Sequence, residues 1–162
     1  MTWANKGCDG LLVDARFFET DALIFDLRNN GGGSADMVRF ISSYLLKGRV
    51  HLNSIYWKES DSITEFWTYS DIESSAQSKV PVYVLTSKDT FSAAEEFAYN
   101  LKALKRATII GETTKGGANP WKFFDLIDNY RVAIPIAKAV NPITKTNWEG
   151  IGVQPDIVAS KD

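Results

Sequence analysis

Cysteine and histidine are almost absent. The 162 residues hold one of each, Cys8 and His51, so no intrachain disulfide and no Cys/His metal cluster can be built, and neither a metal nor a cofactor is expected. An excess of one charge is missing too: 18 Lys plus Arg stand against 20 Asp plus Glu, a net charge of −2. The basic residues are scattered, which disfavours nucleic acid as a partner, since phosphate neutralisation needs them clustered. No stretch approaches the roughly 18 apolar residues of a membrane span. The opening residues 1–9 lack the apolar core of a secretory leader, so the localisation stays unassigned. With no repeat, linker or low-complexity tract, residues 1–162 read as one domain, whose 44% hydrophobic and 23% charged residues are ordinary for a folded protein.

What is present is an alternation of apolar runs and glycine-rich turns. Ala22 to Leu27 is a short buried strand that runs into Asn29-Asn30-Gly31-Gly32-Gly33, and helical spacing follows from Ser34 to Leu46. Ser54–Lys58 and Ile63–Tyr69 read as a hairpin, Asp71–Lys79 as a polar loop, and Val82–Leu85 as a second buried strand. A second helix spans Ser92–Lys105, with Glu95 and Glu96 in its first turn, and a third buried strand is Ala107–Ile110. Lys122–Leu126 and Tyr130–Ile134 predict another hairpin turning at Asp128-Asn129, and Ile157-Val158 a last short strand. Strand, helix, strand, helix, strand is the order of crossover units on a parallel sheet, an α/β architecture with peripheral hairpins.

In such a sheet the functional crevice lies beyond the carboxyl ends of the strands. Three loops leave those ends: residues 29–34, 86–92 and 111–117. The first, with Gly31 and Gly32, offers unshielded N–H groups at a helix start and reads as an anion or oxyanion cradle, or equally as a tight turn that needs glycine. The second places Ser92 at the start of a helix, as a nucleophile or as the cap of a Ser-x-x-Glu capping box. In the third, Lys115 is a candidate base for Ser92 if desolvated, and a solvated surface lysine otherwise. Glu149 is a candidate orienting carboxylate. His51 lies outside the three loops and reads as structural.

Four ordered blocks carry a family resemblance: ALIFDLRNNGGG at 22–33, PVYVLTS at 81–87 running into TFSAAEEFA at 90–98, RATIIGETT at 106–114 with Gly116-Gly117, and NWEGIGVQPD at 147–156. Over residues 21–157 the chain resembles the tail-specific, C-terminal-processing serine proteases, and within them the branch of the tricorn core protease and the interphotoreceptor retinoid-binding protein. The resemblance implies a crotonase-like, Clp-protease-like core of β-β-α units with a mainly parallel central sheet. It implies Ser92 as nucleophile, the amides of Ala93 and of Gly31 or Gly32 as the oxyanion hole, and Glu149 as the glutamate completing a tricorn-type site. The implied activity is cleavage of a peptide or protein substrate, a C-terminal tail among the options, and many members are periplasmic or secreted.

Two departures qualify this. The lysine that serves the processing branch as base, twenty-five positions after the serine, falls on Gly117. The histidine of the tricorn-like branch has no counterpart in residues 1–20, which form an atypical N-terminal segment. The general base is therefore missing from its family positions, and impaired hydrolysis is expected of a truncated or cut-down core unless another subunit supplies a histidine; the oligomeric state is left open. The rival class is a non-catalytic module for a peptide or an apolar, retinoid- or lipid-like ligand, with Trp57, Trp67, Trp121 and Trp148 lining a pocket or, alternatively, serving as core and cross-strand pairs.

Overall fold

The computed structural model describes residues 20–70 and 79–161. The N-terminal segment up to residue 19 and the polar loop over 71–78 lie outside the described residues.

Four parallel strands form the central sheet in the order β1 (Leu23–Asp26), β4 (Val82–Thr86), β5 (Thr108–Gly111) and β9 (Ile157–Val158). Its register pairs Phe25 with Val84, Val84 with Ile109, and Ile110 with Ile157. Alternation along these strands turns Leu23, Val82, Val84 and Ile109 to one face, where all are buried. Helices α1 (Ala35–Leu45) and α2 (Ala93–Ala103) supply the apolar stripes that complete this core: Val38 and Leu45 from α1, Phe97, Ala98 and Leu101 from α2. The Phe97 ring meets Phe25 edge-on at 5.0 Å. As a wholly buried aromatic it anchors α2 to the sheet, and truncating it to Ala costs about 3–5 kcal/mol.

Each helix starts where a loop leaves a strand. Ser34 caps α1, its hydroxyl accepting the Asp36 N–H at 3.1 Å. At the other end, Arg106 Nε donates to the Leu45 carbonyl at 2.7 Å and ties the close of α1 to the segment after α2.

A second sheet, antiparallel, runs β3 (Ser62–Trp67), β2 (His51–Trp57), β8 (Ala137–Val140). Strand β2 begins at His51, three residues before the sequence predicts. His51 is thus part of a strand, stacked on Trp67 at 4.3 Å. Strand β8 is not foreseen by the sequence. A third unit is the two-stranded ribbon β6 (Trp121–Asp125) and β7 (Arg131–Pro135), closed by a 3-10 turn over Ile127–Asn129 with Asp128 and Asn129 at φ 59° and 61°. Short polar side chains tolerate this left-handed conformation, which is why the turn sits on Asp-Asn.

Candidate active site

The carboxyl ends of β1, β4 and β5 are neighbours, and the three loops leaving them are bonded to one another. Thr90 Oγ1 donates to the Leu27 carbonyl at 2.8 Å, Ser87 Oγ to the Arg28 carbonyl at 2.6 Å, and Phe91 N–H to the Asn30 carbonyl at 3.1 Å, joining the first loop to the second. Thr86 Oγ1 reaches the Glu112 carbonyl at 2.9 Å and Lys115 N–H the Thr90 carbonyl at 3.1 Å, joining the second to the third. Backbone groups that a loop would otherwise leave to water are thus satisfied between loops, and the crevice is stiff.

Ser92 sits at its centre, directly before α2. An N-cap residue ordinarily has β-region dihedrals; Ser92 has φ 57° and ψ −124°. Capping alone does not require this conformation, which costs a non-glycine residue about 1–3 kcal/mol and persists only where the surroundings impose it. They do so through Gly32 and Glu95. A Cβ on Gly32, which has φ +110°, would lie 2.8 Å from Ser92 Cβ and 3.3 Å from Ala93 N. Only glycine brings the first loop this close. Gly32 donates its own N–H to Asn30 Oδ1 at 2.9 Å, while Gly31, the other candidate loop donor, is exposed with open space where a Cβ would lie.

Glu95 is the organising group, and the sequence suggests nothing for it beyond a helix cap. It is wholly buried, and its carboxyl oxygens accept four donors: Ser92 N–H at 2.8 Å, Gly117 N–H at 2.9 Å, Gly116 N–H at 2.6 Å and Thr114 Oγ1 at 2.5 Å. Thr114 Oγ1 in turn accepts Val153 N–H at 2.7 Å. One side chain therefore fixes the serine and the third loop together. The adjacent Glu96 faces the other way, buried against β2 with Oε1 accepting Asn53 Nδ2 at 3.2 Å. Burial raises its pKa to about 7, opposed by hydrogen bonding from Asn53 and Asn100.

The third loop is held from outside by residues 147–153. Glu149 Oε2 accepts the N–H groups of Ala118 and Asn119 at 2.7 and 2.8 Å, Trp148 Nε1 donates to the Gly117 carbonyl at 3.1 Å, and Gly150 N–H to the Gly116 carbonyl at 2.9 Å. Glu149 is exposed and bound to backbone, so the structure gives it a loop-fixing place beside the crevice. Lys115 is exposed, its Nζ 5.2 Å from the centre of the Phe91 ring. The same ring fills the space beside Gly117: a Cβ there would lie 2.1 Å from Phe91 Cε2. His51 stands apart on β2, its Nε2 within 2.9 Å of Ser54 Oγ and 3.1 Å of the Asn53 carbonyl. A separate cleft lined by Lys102, Lys105, Arg106 and Asp156 opens at the amino ends of β4 and β5, the opposite end of the sheet from Ser92. The four tryptophans are dispersed: Trp148 is buried behind the third loop, Trp57 and Trp67 lie on the β2–β3 hairpin, and Trp121 opens β6.

Comparison with known proteins bears on this arrangement. The family model described as Peptidase family S41 matches residues 3–159. A carboxyl-terminal-processing peptidase 2 of Arabidopsis thaliana, a chloroplast protein, is 32% identical over 137 residues, 84% of this chain and 25% of that protein. The solved photosystem II D1 C-terminal processing protease superposes with a TM-score of 0.68 at 32% identity, over 87% of this chain and 35% of that one. The tricorn protease shares the fold at a TM-score of 0.59 and 22% identity, over 89% of this chain and 13% of that one. The chain spans about a quarter to a third of the length of the curated relatives it matches.

Proposed function

The chain belongs to peptidase family S41, and on that footing we propose that it is a serine-type peptidase core in which Ser92 attacks the carbonyl carbon of a peptide bond. The observation that carries this is the backbone of Ser92 itself, φ 57° at a helix start with Gly32 pressed against its Cβ. A strained turn of this kind pushes a hydroxyl out of the sheet toward a substrate, as in nucleophile elbows on other folds.

The remaining roles follow from position. The Ala93 amide, next to the serine at the amino end of α2, and the Gly31 amide, on the loop that Gly32 brings alongside, donate to the oxyanion as the carbonyl becomes tetrahedral. Glu95 and Thr114 position the serine and the third loop without touching substrate. Glu149 holds the Ala118 and Asn119 amides, fixing the crevice wall. The substrate class is peptide or protein; a C-terminal tail is the finer reading that the processing relatives suggest.

Serine needs a base. Gly117 stands where the processing branch has lysine, and the Phe91 ring occupies the space a side chain there would take. Lys115, two positions earlier, rests its ammonium on that same ring, which leaves it the nearest lysine in the third loop but not a partner of Ser92 in this arrangement. The proposal is therefore of a serine held in attacking geometry with weak intrinsic activation, for which oxyanion stabilisation alone sustains a residual rate.

A fluorophosphonate probe tests this directly. Covalent labelling of the protein, abolished in Ser92→Ala, is the expected result. Labelling that persists in Ser92→Ala, or no labelling at millimolar probe over hours, overturns it.

A further inference from the structure

The ribbon β6–β7 has no packing partner: among the described residues neither strand pairs with a third, and its large apolar side chains stand in water. Ile127 is 83% exposed, Tyr130 70%, Leu126 55% and Trp121 50%, with Phe123 and Phe124 close behind. Two-stranded hairpins are marginal on their own, and a contiguous exposed apolar patch marks a binding surface.

Its root is part of the crevice. Trp121 comes four residues after the third loop ends at Gly117, and both ends of the ribbon are clamped at Pro120, whose carbonyl accepts Ile136 N–H at 2.9 Å. Asn119, one residue earlier, gives its N–H to Glu149 and accepts Ala139 N–H and Asn147 Nδ2 on its side chain. Glu95 holds Gly116 and Gly117, four and three residues before Pro120. The ribbon thus leaves the site from a fixed base and projects an unpaired edge and an aromatic face. Trp121 meets Phe123 edge-on at 4.7 Å, and Arg131, paired to Asp125, lies 5.0 Å over Phe123.

We propose that β6–β7 is the substrate-gripping arm of this site, taking an extended, apolar stretch of polypeptide along its free edge. The unpaired backbone of a ribbon edge offers the ladder that an extended peptide completes, and Trp121 and Phe123 the apolar seat for its alternate side chains. Continuity with the crevice singles out this occupant: a chain lying on the ribbon runs on toward the loop that Glu95 fastens to Ser92. The charges carried by the ribbon, Lys122 and Arg131 against Asp125 and Asp128, cancel and select for neither acidic nor basic ligands. This inference rests on the peptidase reading of Ser92.

The test uses binding, so that it does not depend on turnover. The probe is a fluorescein-labelled decapeptide of alternating leucine and serine, titrated by anisotropy into the Ser92→Ala protein. Binding is expected, weakened at least tenfold by adding Phe123→Ser and by adding Ile127→Ser, and absent for a peptide of alternating glutamate and serine. Both sites are exposed, and an unchanged thermal melting midpoint in the single variants Phe123→Ser and Ile127→Ser verifies the fold. Peptide binding that ignores both substitutions overturns the proposal, as does no binding by the parent. So does a sedimentation or vesicle result in which the same substitutions instead dissociate a dimer or abolish flotation with phosphatidylcholine vesicles. An unlabelled Ser92 beside intact, ribbon-dependent binding defeats only the nucleophile reading.

Discussion

The crevice around Ser92 and the ribbon β6–β7 are joined at Pro120 and built on opposite terms. In the crevice nearly every group is spoken for: one buried carboxyl serves four donors, loops exchange hydrogen bonds, and glycines are pressed to within van der Waals distance. On the ribbon, side chains large enough for a core are left in water. Chemistry at a carbonyl needs atoms held to within a fraction of an ångström, whereas gripping a peptide needs surface that can adapt. On the proposed reading both requirements are met a few residues apart, with the rigid part paid for by polar bonds rather than by apolar burial.

If that is right, substitutions should separate sharply by region. The largest effect is expected from Glu95→Ala, which strips the acceptors from three backbone N–H groups and one hydroxyl. At about 1–3 kcal/mol for each group left unsatisfied, the variant should melt far below the parent in calorimetry and lose labelling at Ser92. A variant with near-parental melting would break the contrast at its strongest point.

Next comes Glu96→Gln. The folded carboxyl titrates at about 7 against an ordinary 4.5, so the folded state holds its proton more tightly than the unfolded one. The stability it contributes is present at low pH and is lost as pH rises from 4.5 through 7. The parent should therefore lose on the order of 3 kcal/mol relative to Glu96→Gln between pH 4 and pH 8, read from denaturant midpoints. A parallel pH profile for the two proteins would refute the assignment.

Gly117→Lys should cost about 1–3 kcal/mol through overpacking against Phe91 and bring no gain in labelling. The pair Phe91→Ala with Gly117→Lys should recover part of that loss. The smallest change belongs to the ribbon: Phe123→Ser should alter stability by less than about 0.5 kcal/mol while weakening peptide binding.

Much of this division was legible in the sequence. Apolar runs ending in glycine- or serine-rich turns locate β1, β4 and β5, because buried parallel strands advertise themselves by composition. The family blocks assemble the three loops around Ser92. Strand β8 was not legible, since Ala137-Lys-Ala-Val140 carries weak strand propensity and exists through its pairing with β2, 80 or more residues earlier. Glu95 and Glu96 look alike on paper, two acids in a first helical turn. What separates them is which distant groups each meets: residues 114–117 for one, Asn53 for the other. The ribbon was legible as a hairpin, but that no other described element covers its apolar side chains is a fact of three dimensions only.

The clasp of residues 147–153 on the third loop also sets an order of events. Gly152 has φ +70°, and a Cβ on it would fall 2.2 Å from the Thr114 carbonyl oxygen, so the two segments lock together with no slack. During synthesis, loops 29–34, 86–92 and 111–117 leave the ribosome well before their clasp does. At roughly 5–20 residues per second the wait is a few seconds. Through that interval Gly116 and Gly117 lack the bonds from Gly150 and Trp148 that hold their carbonyls in place.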